Sequence, residues 1–284
     1  MSGRKEEETV KTAIISVIIA SMAMLGSFAH ALEPFVLYDD FGSKIIDETR
    51  WYGEYGIATG VSILEDIREI KSGRLHVLSR YYGNMGSDSG TSRGFSRLGF
   101  ANPNTITAMK ATVQVMSEEA DGCPNNSFAT TVRAALQGTF FNTGTPTPNS
   151  SVNDVLAGIG IELTSNSSNA PNILNVLGYV IRCNDSSCVS YSLLRGENMG
   201  TIKLKAKTDL SVQWDQPNHQ FIVQVGKLPP VSLPYAVSDT HPPGVNVKEL
   251  RLTNYIANCT TEPRLVGFVD AYFDNVFVNQ SAAP

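Results

Sequence analysis

Along most of the chain apolar and polar residues alternate with a period of two, the spacing of a half-buried strand, while the period of about 3.6 that marks an amphipathic helix is scarce. Residues 74–80 read as a strand that turns Leu75 and Val77 inward and His76 outward, beside Arg74 and Arg80. Residues 107–116, 131–138 and 157–163 read the same way, the last with glycines that point to close backbone packing or a bulge. Residues 202–207 alternate apolar side chains with lysine, which predicts a strand with one buried and one solvated face. Residues 211–215 and 220–225 flank Gln216-Pro217-Asn218-His219, a polar break that predicts a hairpin. The breaks at 83–92, 121–127, 142–154 and 165–172 are rich in Asn, Ser, Gly and Pro and read as loops within one domain. About a dozen strands with regular turn signals and no internal repeat predict an all-β fold, a two-sheet antiparallel β-sandwich. The first and last strand signals, around Tyr38-Asp39-Asp40-Phe41 and across residues 271–278, are expected to lie together in it.

A different pattern precedes the strands. Residues 1–11 mix Arg4, Lys5 and Lys11 with Glu6, Glu7 and Glu8, and residues 12–32 hold no Asp, Glu, Lys or Arg and pass through Ala29-His30-Ala31. Charged, then apolar, then small-x-small is the order of a secretory signal over residues 1–31, cleaved after Ala31. The three glutamates depart from a clean signal, and the competing reading is a retained anchor, because an uncharged stretch this long can span a bilayer. Residues 32–284 are then expected to form one exported domain, secreted or held in the periplasm or cell envelope, with no membrane association once the signal is removed.

Charge narrows the partners. The 284 residues carry a formal net charge of −5, and removing residues 1–11 takes away equal numbers of acids and bases and leaves that charge unchanged. An acidic chain with no basic cluster argues against nucleic acid as a partner. The four cysteines, Cys123, Cys183, Cys188 and Cys259, read as disulfides in an exported chain, with three connectivities open. Cys183 and Cys188 flank a short Asn-Asp-Ser-Ser turn between two strand patterns, which favours that pair and leaves Cys123 with Cys259 by elimination. No histidine lies near any of them in sequence, so a thiolate metal site is disfavoured.

Several short motifs carry a family resemblance. Asp39-Asp40-Phe41 with Ile46-Asp47 and Trp51, then Arg68-Glu69-Ile70 and Ser72-Gly73-Arg74-Leu75, resemble the opening of concanavalin A-like lectin/glucanase jelly rolls of exported bacterial proteins. Val212-Gln213-Trp214-Asp215 with Phe221-Ile222-Val223 resembles their late hairpin, and Phe273-Asp274-Asn275-Val276 their closing strand. The resemblance spans nearly all of residues 32–284 and implies a jelly-roll sandwich with Trp51 and Trp214 at structural positions in the core. By alternation Tyr191, Tyr272 and Phe277 also read as core. The fold by itself does not decide between lectin, glycosidase and adhesion module.

The resemblance implies glycoside hydrolysis as one activity. Its laminarinase-type branch sets paired acids on one strand as Glu-x-Asp-x-x-Glu or Glu-x-Asp-x-Glu, because alternate strand residues share a face and two carboxylates must flank the scissile bond. No such run is present; Glu65-Asp66 and Glu118-Glu119 are adjacent and would point to opposite faces, and Asp270 and Asp274 lack a glutamate partner. Gly90-Thr91-Ser92-Arg93-Gly94 matches a nucleophile-elbow pattern but sits in a Gly/Ser-rich stretch, where Ser92 reads as an ordinary loop residue. Calcium is the better-motivated ion: Asp40 and Asp274 would be brought together if the terminal strands pair, against the reading that such acids cap turns. Sugar binding needs exposed aromatics and hydrogen-bonding side chains; Tyr52, Tyr55, Tyr81, Tyr82, Asn84, Arg93 and Arg97 are candidates, and Tyr81, Tyr82, Asn84 and Arg97 on the concave sheet are the ones selected. The leading expectation is therefore an exported, non-catalytic β-sandwich that binds carbohydrate or another extracellular surface ligand. A glycoside hydrolase or polysaccharide lyase with a non-standard acid/base pair, and a structural envelope or adhesion protein without a small ligand, are the alternatives.

Overall fold

Alternation becomes two antiparallel sheets. The computed structural model describes residues 32–57 and 60–284; the proposed signal or anchor, residues 1–31, lies outside them. Residues Glu33–Pro284 form one unit. One sheet holds β1 (Phe35–Asp39), β3 (Ser62–Ile70), β4 (Leu75–Tyr82), β6 (Ala108–Ala120), β11 (Thr208–Asp215), β12 (Gln220–Val225), β13 (Val231–Pro234) and β15 (Val266–Asn279). Its order is β13-β12-β11-β6-β15-β4-β3, with β1 also paired to β15. The other holds β2 (Trp51–Ile57), β5 (Thr91–Phe100), β7 (Thr131–Asn142), β8 (Asp154–Thr164), β9 (Ile173–Cys183), β10 (Tyr191–Lys203) and β14 (Lys248–Ala257), in the order β10-β9-β8-β7-β14-β5-β2. Among the described residues no helix is long and apolar enough to cross a membrane.

Side-chain alternation fixes what each face carries. Ala111, Val113 and Val115 of β6 and Val269, Ala271 and Phe273 of β15 meet Leu136 of β7, Ile159 and Ile161 of β8 and Leu250 and Leu252 of β14 in one continuous core. The opposite parity on β5, β7 and β14 points away from that core and carries the polar residues of the next subsection. Three expectations change. Residues 202–207 are not a strand: β10 ends at Lys203, and Lys205 takes a left-handed φ of 68° in the turn to β11. Tyr272 and Phe277 lie half-buried on the outer face of β15, where Tyr272 stacks on His76, while Phe273 and Val276 fill the core. Tyr191 is 42% exposed, on the edge strand β10.

The chain's two ends meet. β1 pairs antiparallel with the last residues of β15, Phe35 opposite Asn279 and Leu37 opposite Phe277. Just beyond β1, Phe41 turns back at a positive φ of 52° and is buried against Trp51. A bulky residue is uncommon in that region; Asp39 holds it there by accepting the Phe41 N–H at 2.7 Å, while its other oxygen accepts Trp51 Nε1–H at 2.7 Å. The disulfides pair Cys183 with Cys188 and Cys123 with Cys259. The second closes a separation of 136 residues and the first only 5, so the second removes far more unfolded-state freedom within the typical range of about 2–4 kcal/mol per bond.

Candidate functional site

The outward face of the seven-stranded sheet builds a cleft of about 400 Å³. On β14 the outward parity is Glu249, Arg251, Thr253 and Tyr255; on β5 it is Arg93, Phe95 and Arg97; on β7 it is Arg133, Gln137 and Thr139. Register brings them side by side. Arg251 lies opposite Arg97, Tyr255 opposite Arg93, Thr253 opposite Arg133 and Glu249 opposite Gln137. Tyr179 of β9 adds a phenol, and glycines on β8 make the room: a Cβ on Gly158 would stand 2.7 Å from the Tyr179 hydroxyl, and one on Gly160 would stand 2.8 Å from Arg133 Cδ. The expectation of close packing at these glycines holds, and the groups packed there belong to the cleft floor.

A hydrogen-bonded chain runs along that floor. The Tyr179 hydroxyl donates to Gln137 Oε1 at 2.7 Å, and Gln137 Nε2 donates to Glu249 Oε1 at 2.7 Å. Arg251 Nη1 donates to Glu249 Oε1 at 2.8 Å and Arg97 Nη1 to Glu249 Oε2 at 3.1 Å. Glu249 is fully buried. Burial would raise its carboxyl, but the charges of Arg251 and Arg97 outweigh it and hold the group below the ordinary carboxylate range. Beside it, Arg133 Nε donates to Glu162 Oε2 at 2.8 Å, and the guanidinium lies over the Tyr179 ring at 4.8 Å. Burial would lower Arg133; Glu162 outweighs it and keeps Arg133 above its usual value.

The walls come from loops. The Cys183–Cys188 turn forms one of them, and Arg93 Nη1 donates to the Cys188 carbonyl at 2.9 Å. Exposed Tyr191 and Leu193 line the cleft as well, and so do Val245 and Val247. Burial raises the Tyr179 and Tyr191 phenols. That direction is opposite to what a tyrosinate base needs.

Of the sequence candidates for sugar contact, Arg93 and Arg97 line this cleft. Tyr81 is a correction: it is fully buried between the sheets, its hydroxyl donating to Asp66 Oδ2 at 3.1 Å and its ring lying against Gly94. Tyr82 alternates to the outer face of the other sheet, under Arg264, and Asn84 sits in a loop where its side chain accepts the Gly86 N–H. Neither reaches the cleft lining. Ser92 belongs to β5, not to a loop; it is buried and donates to Asn258 Oδ1 at 2.7 Å. Asp40 accepts the Gly42 N–H in the turn after β1, and Asp274 the Asn275 N–H at a register shift within β15. Among the described residues the one cluster of three metal-type ligands is Asp88 with Cys123 and Cys259, whose sulfurs are consumed by the disulfide.

Outside the cleft, Glu118 of β6 is a second perturbed acid. Burial without a compensating charge raises its carboxyl to about 8. A raised acid favours the folded state below its unfolded pKa near 4.5 and loses that advantage as pH climbs toward 8. Glu118→Gln is therefore expected to match the parent protein in urea unfolding at pH 5 and to exceed it by about 2 kcal/mol at pH 8.5, after discounting for its partial exposure. Parallel stability curves across that range would rule the assignment out.

Comparison with known proteins adds context for the fold. No family model matches the chain, and no curated protein matches it in sequence. Among solved structures it is similar to LamAcat from Zobellia galactanivorans, with a TM-score of 0.45 and 11% identity over 88% of this chain and 99% of that one. It is similar to a GlcNAcα1-4Gal-releasing endo-β-galactosidase from Clostridium perfringens, with a TM-score of 0.43 and 7% identity over 89% of this chain and 65% of that one, just under two thirds of its length. A protein of unknown function with a galectin-like fold from Bacillus subtilis gives a TM-score of 0.39 and 10% identity, over 88% and 99%. The two-sheet sandwich itself stands on the strand order and register given above.

Proposed function

We propose that this protein binds carbohydrate in the cleft on the outer face of the seven-stranded sheet and does not cleave it. The observation that carries the reading is the composition of one rigid face: Phe95, Tyr179, Tyr191 and Tyr255 interleave with arginines, Gln137 and Thr139 around a volume of about 400 Å³. Apolar ring faces with a few fixed polar groups are what a small-ligand site needs. Aromatic rings stack on the C–H faces of pyranoses, and guanidinium and amide groups donate to ring oxygens and hydroxyls. Strands hold these groups more firmly than loops do. The absence of cleavage rests on Glu249. It is the one carboxylate among the described cleft-lining residues, and both of its oxygens are occupied by arginine and glutamine donors. Hydrolysis of either stereochemistry calls for two carboxyl groups across the scissile bond.

The test is a glycan array probed with the purified chain, followed by calorimetry on any hit with the parent protein and Tyr191→Ala. Tyr191 is exposed, so its loss should leave the melting temperature in place and weaken binding about tenfold, the equivalent of one aromatic stacking contact. An array with no hit, or a hit indifferent to Tyr191→Ala, would overturn the reading. Reducing-sugar release that disappears in Glu249→Gln would overturn its non-catalytic half.

A further inference from the structure

Four guanidiniums, from Arg93, Arg97, Arg133 and Arg251, line the cleft. Among the described residues Glu249 pairs with Arg97 and Arg251, and Glu162 with Arg133. Arg93 and Arg251 each keep a buried donor unused. Arg251 is 6% exposed and uses Nη1 on Glu249 and Nε on Thr253 Oγ1, while its buried Nη2 has no hydrogen-bond partner. Arg93 uses Nη1 on the Cys188 carbonyl, and its buried Nε likewise has none. Both guanidiniums pack on the same ring, Phe95, at 4.0 Å and 5.8 Å from its centroid. Burial and then the neighbouring Arg251 charge lower the pKa of Arg93 and outweigh the opposite pull of Tyr255 and Glu249.

Buried donors without partners and buried like charges are both costly in a folded protein. A single anion between Arg93 and Arg251 removes both costs. A planar carboxylate suits it, because each guanidinium presents N–H groups in a fixed fork. We propose that the ligand of this cleft is an acidic glycan, and that the carboxylate of one uronic acid residue is held by Arg251 Nη2 and Arg93 Nε, with the sugar ring carried toward Tyr191 and Tyr255. This inference rests on the carbohydrate reading of the same cleft and adds the charge of the ligand.

Calorimetry on the full chain separates the two claims. The probes are oligogalacturonate, alginate oligosaccharides and hyaluronan oligosaccharides, each beside the same sugar with its carboxyls reduced to primary alcohols, together with laminarin oligosaccharides and sulfated dextran. The expected result is binding to at least one uronate and at least about tenfold weaker binding to its carboxyl-reduced form. Arg251→Lys keeps a cation beside Glu249 but lacks Nη2, and should weaken uronate binding about tenfold more than it weakens binding of the carboxyl-reduced sugar. Arg93→Gln, at a partly exposed position, gives the same comparison if Arg251→Lys fails to fold. Equal affinity for the acidic and reduced forms, or binding of laminarin or sulfated dextran alone, overturns the carboxylate assignment and leaves carbohydrate binding standing. No binding to any of these sugars overturns both.

Discussion

Glu249→Ala is expected to lower the unfolding free energy by about 4 kcal/mol, within the range for removing one partner of a buried ion pair. Glu249 is fully buried and satisfies Arg97, Arg251 and Gln137 at once. Its removal leaves Arg97 and Arg251, cross-strand neighbours in the β5–β14 pair, facing each other without the carboxylate that separates them. The loss exceeds that of one hydrogen bond because like charges directly opposite on a sheet also repel. Glu249→Gln keeps the shape and loses the charge, and should fall between the parent and the alanine variant. Glu197→Ala supplies the contrast: its pair with Arg195 is exposed on both sides, and such pairs contribute only about 0–1 kcal/mol. Urea unfolding at pH 7 measures all three. A loss below about 1 kcal/mol for Glu249→Ala would mean that the floor network is not what holds β5 and β14 in register.

The acid dependence has the same origin. Because Glu249 is held below its ordinary value, its contribution is present above the unfolded carboxylate pKa and is lost as pH falls through the lower folded value. Glu118 acts with the opposite sign, favouring the fold at low pH. The two therefore oppose each other between pH 4 and 5, about where free carboxylates titrate.

Why the fold was readable and the site only partly so follows from particular strands. Period-two alternation in residues 74–80 turns Leu75 and Val77 inward, and both lie in the core. Tyr81 and Tyr82 show the limit of the same reasoning. Their adjacency correctly places one inside and one outside, but parity does not say which sheet carries the strand, and β4 belongs to the sheet without the cleft. The cleft is assembled from β5, β7, β9 and β14; β7 and β9 follow one another through β8, but β14 reaches its place between β5 and β7 only by a long crossover. A local signal was nonetheless available. Residues 248–257 place Glu249, Arg251, Thr253 and Tyr255 at every second position between Leu250, Leu252 and Asn254, and residues 93–97 do the same with Arg93, Phe95 and Arg97. A strand whose outward residues are arginine and aromatic, where ordinary solvated faces carry lysine and glutamate, marks a surface that meets something other than water. The exposed Tyr191 was misplaced for a related reason: alternation assigns a residue to a face, but an edge strand such as β10 has no neighbour beyond it to cover that face.

The opening motif makes a sharper structural claim than a family likeness does. Trp51→Ala is expected to cost about 4 kcal/mol, in the range for emptying a buried aromatic site. Trp51 is 1% exposed; its ring centroid lies 4.6 Å from Phe100, 5.2 Å from Tyr38 and 5.5 Å from Phe41. These four rings join β1, the turn after it, β2 and β5, so the cavity would loosen the place where the first strand meets both sheets. Trp51→Phe separates packing from hydrogen bonding. It retains a ring but leaves Asp39 Oδ2 without the indole donor it now accepts at 2.7 Å, and should cost roughly 1–2 kcal/mol. Asp39→Asn should fall near Trp51→Phe, while Asp40→Asn should be silent, since Asp40 is exposed and accepts only the Gly42 N–H. Urea unfolding followed by far-UV circular dichroism measures the series without relying on the fluorescence of the deleted indole. If Trp51→Ala costs less than about 1 kcal/mol, or if Asp40→Asn costs as much as Asp39→Asn, then the Tyr38-Asp39-Asp40-Phe41 segment is not a clamp on the two sheets. Its acids would then be free for another role, such as the calcium ligation that the pairing of the chain ends first suggested.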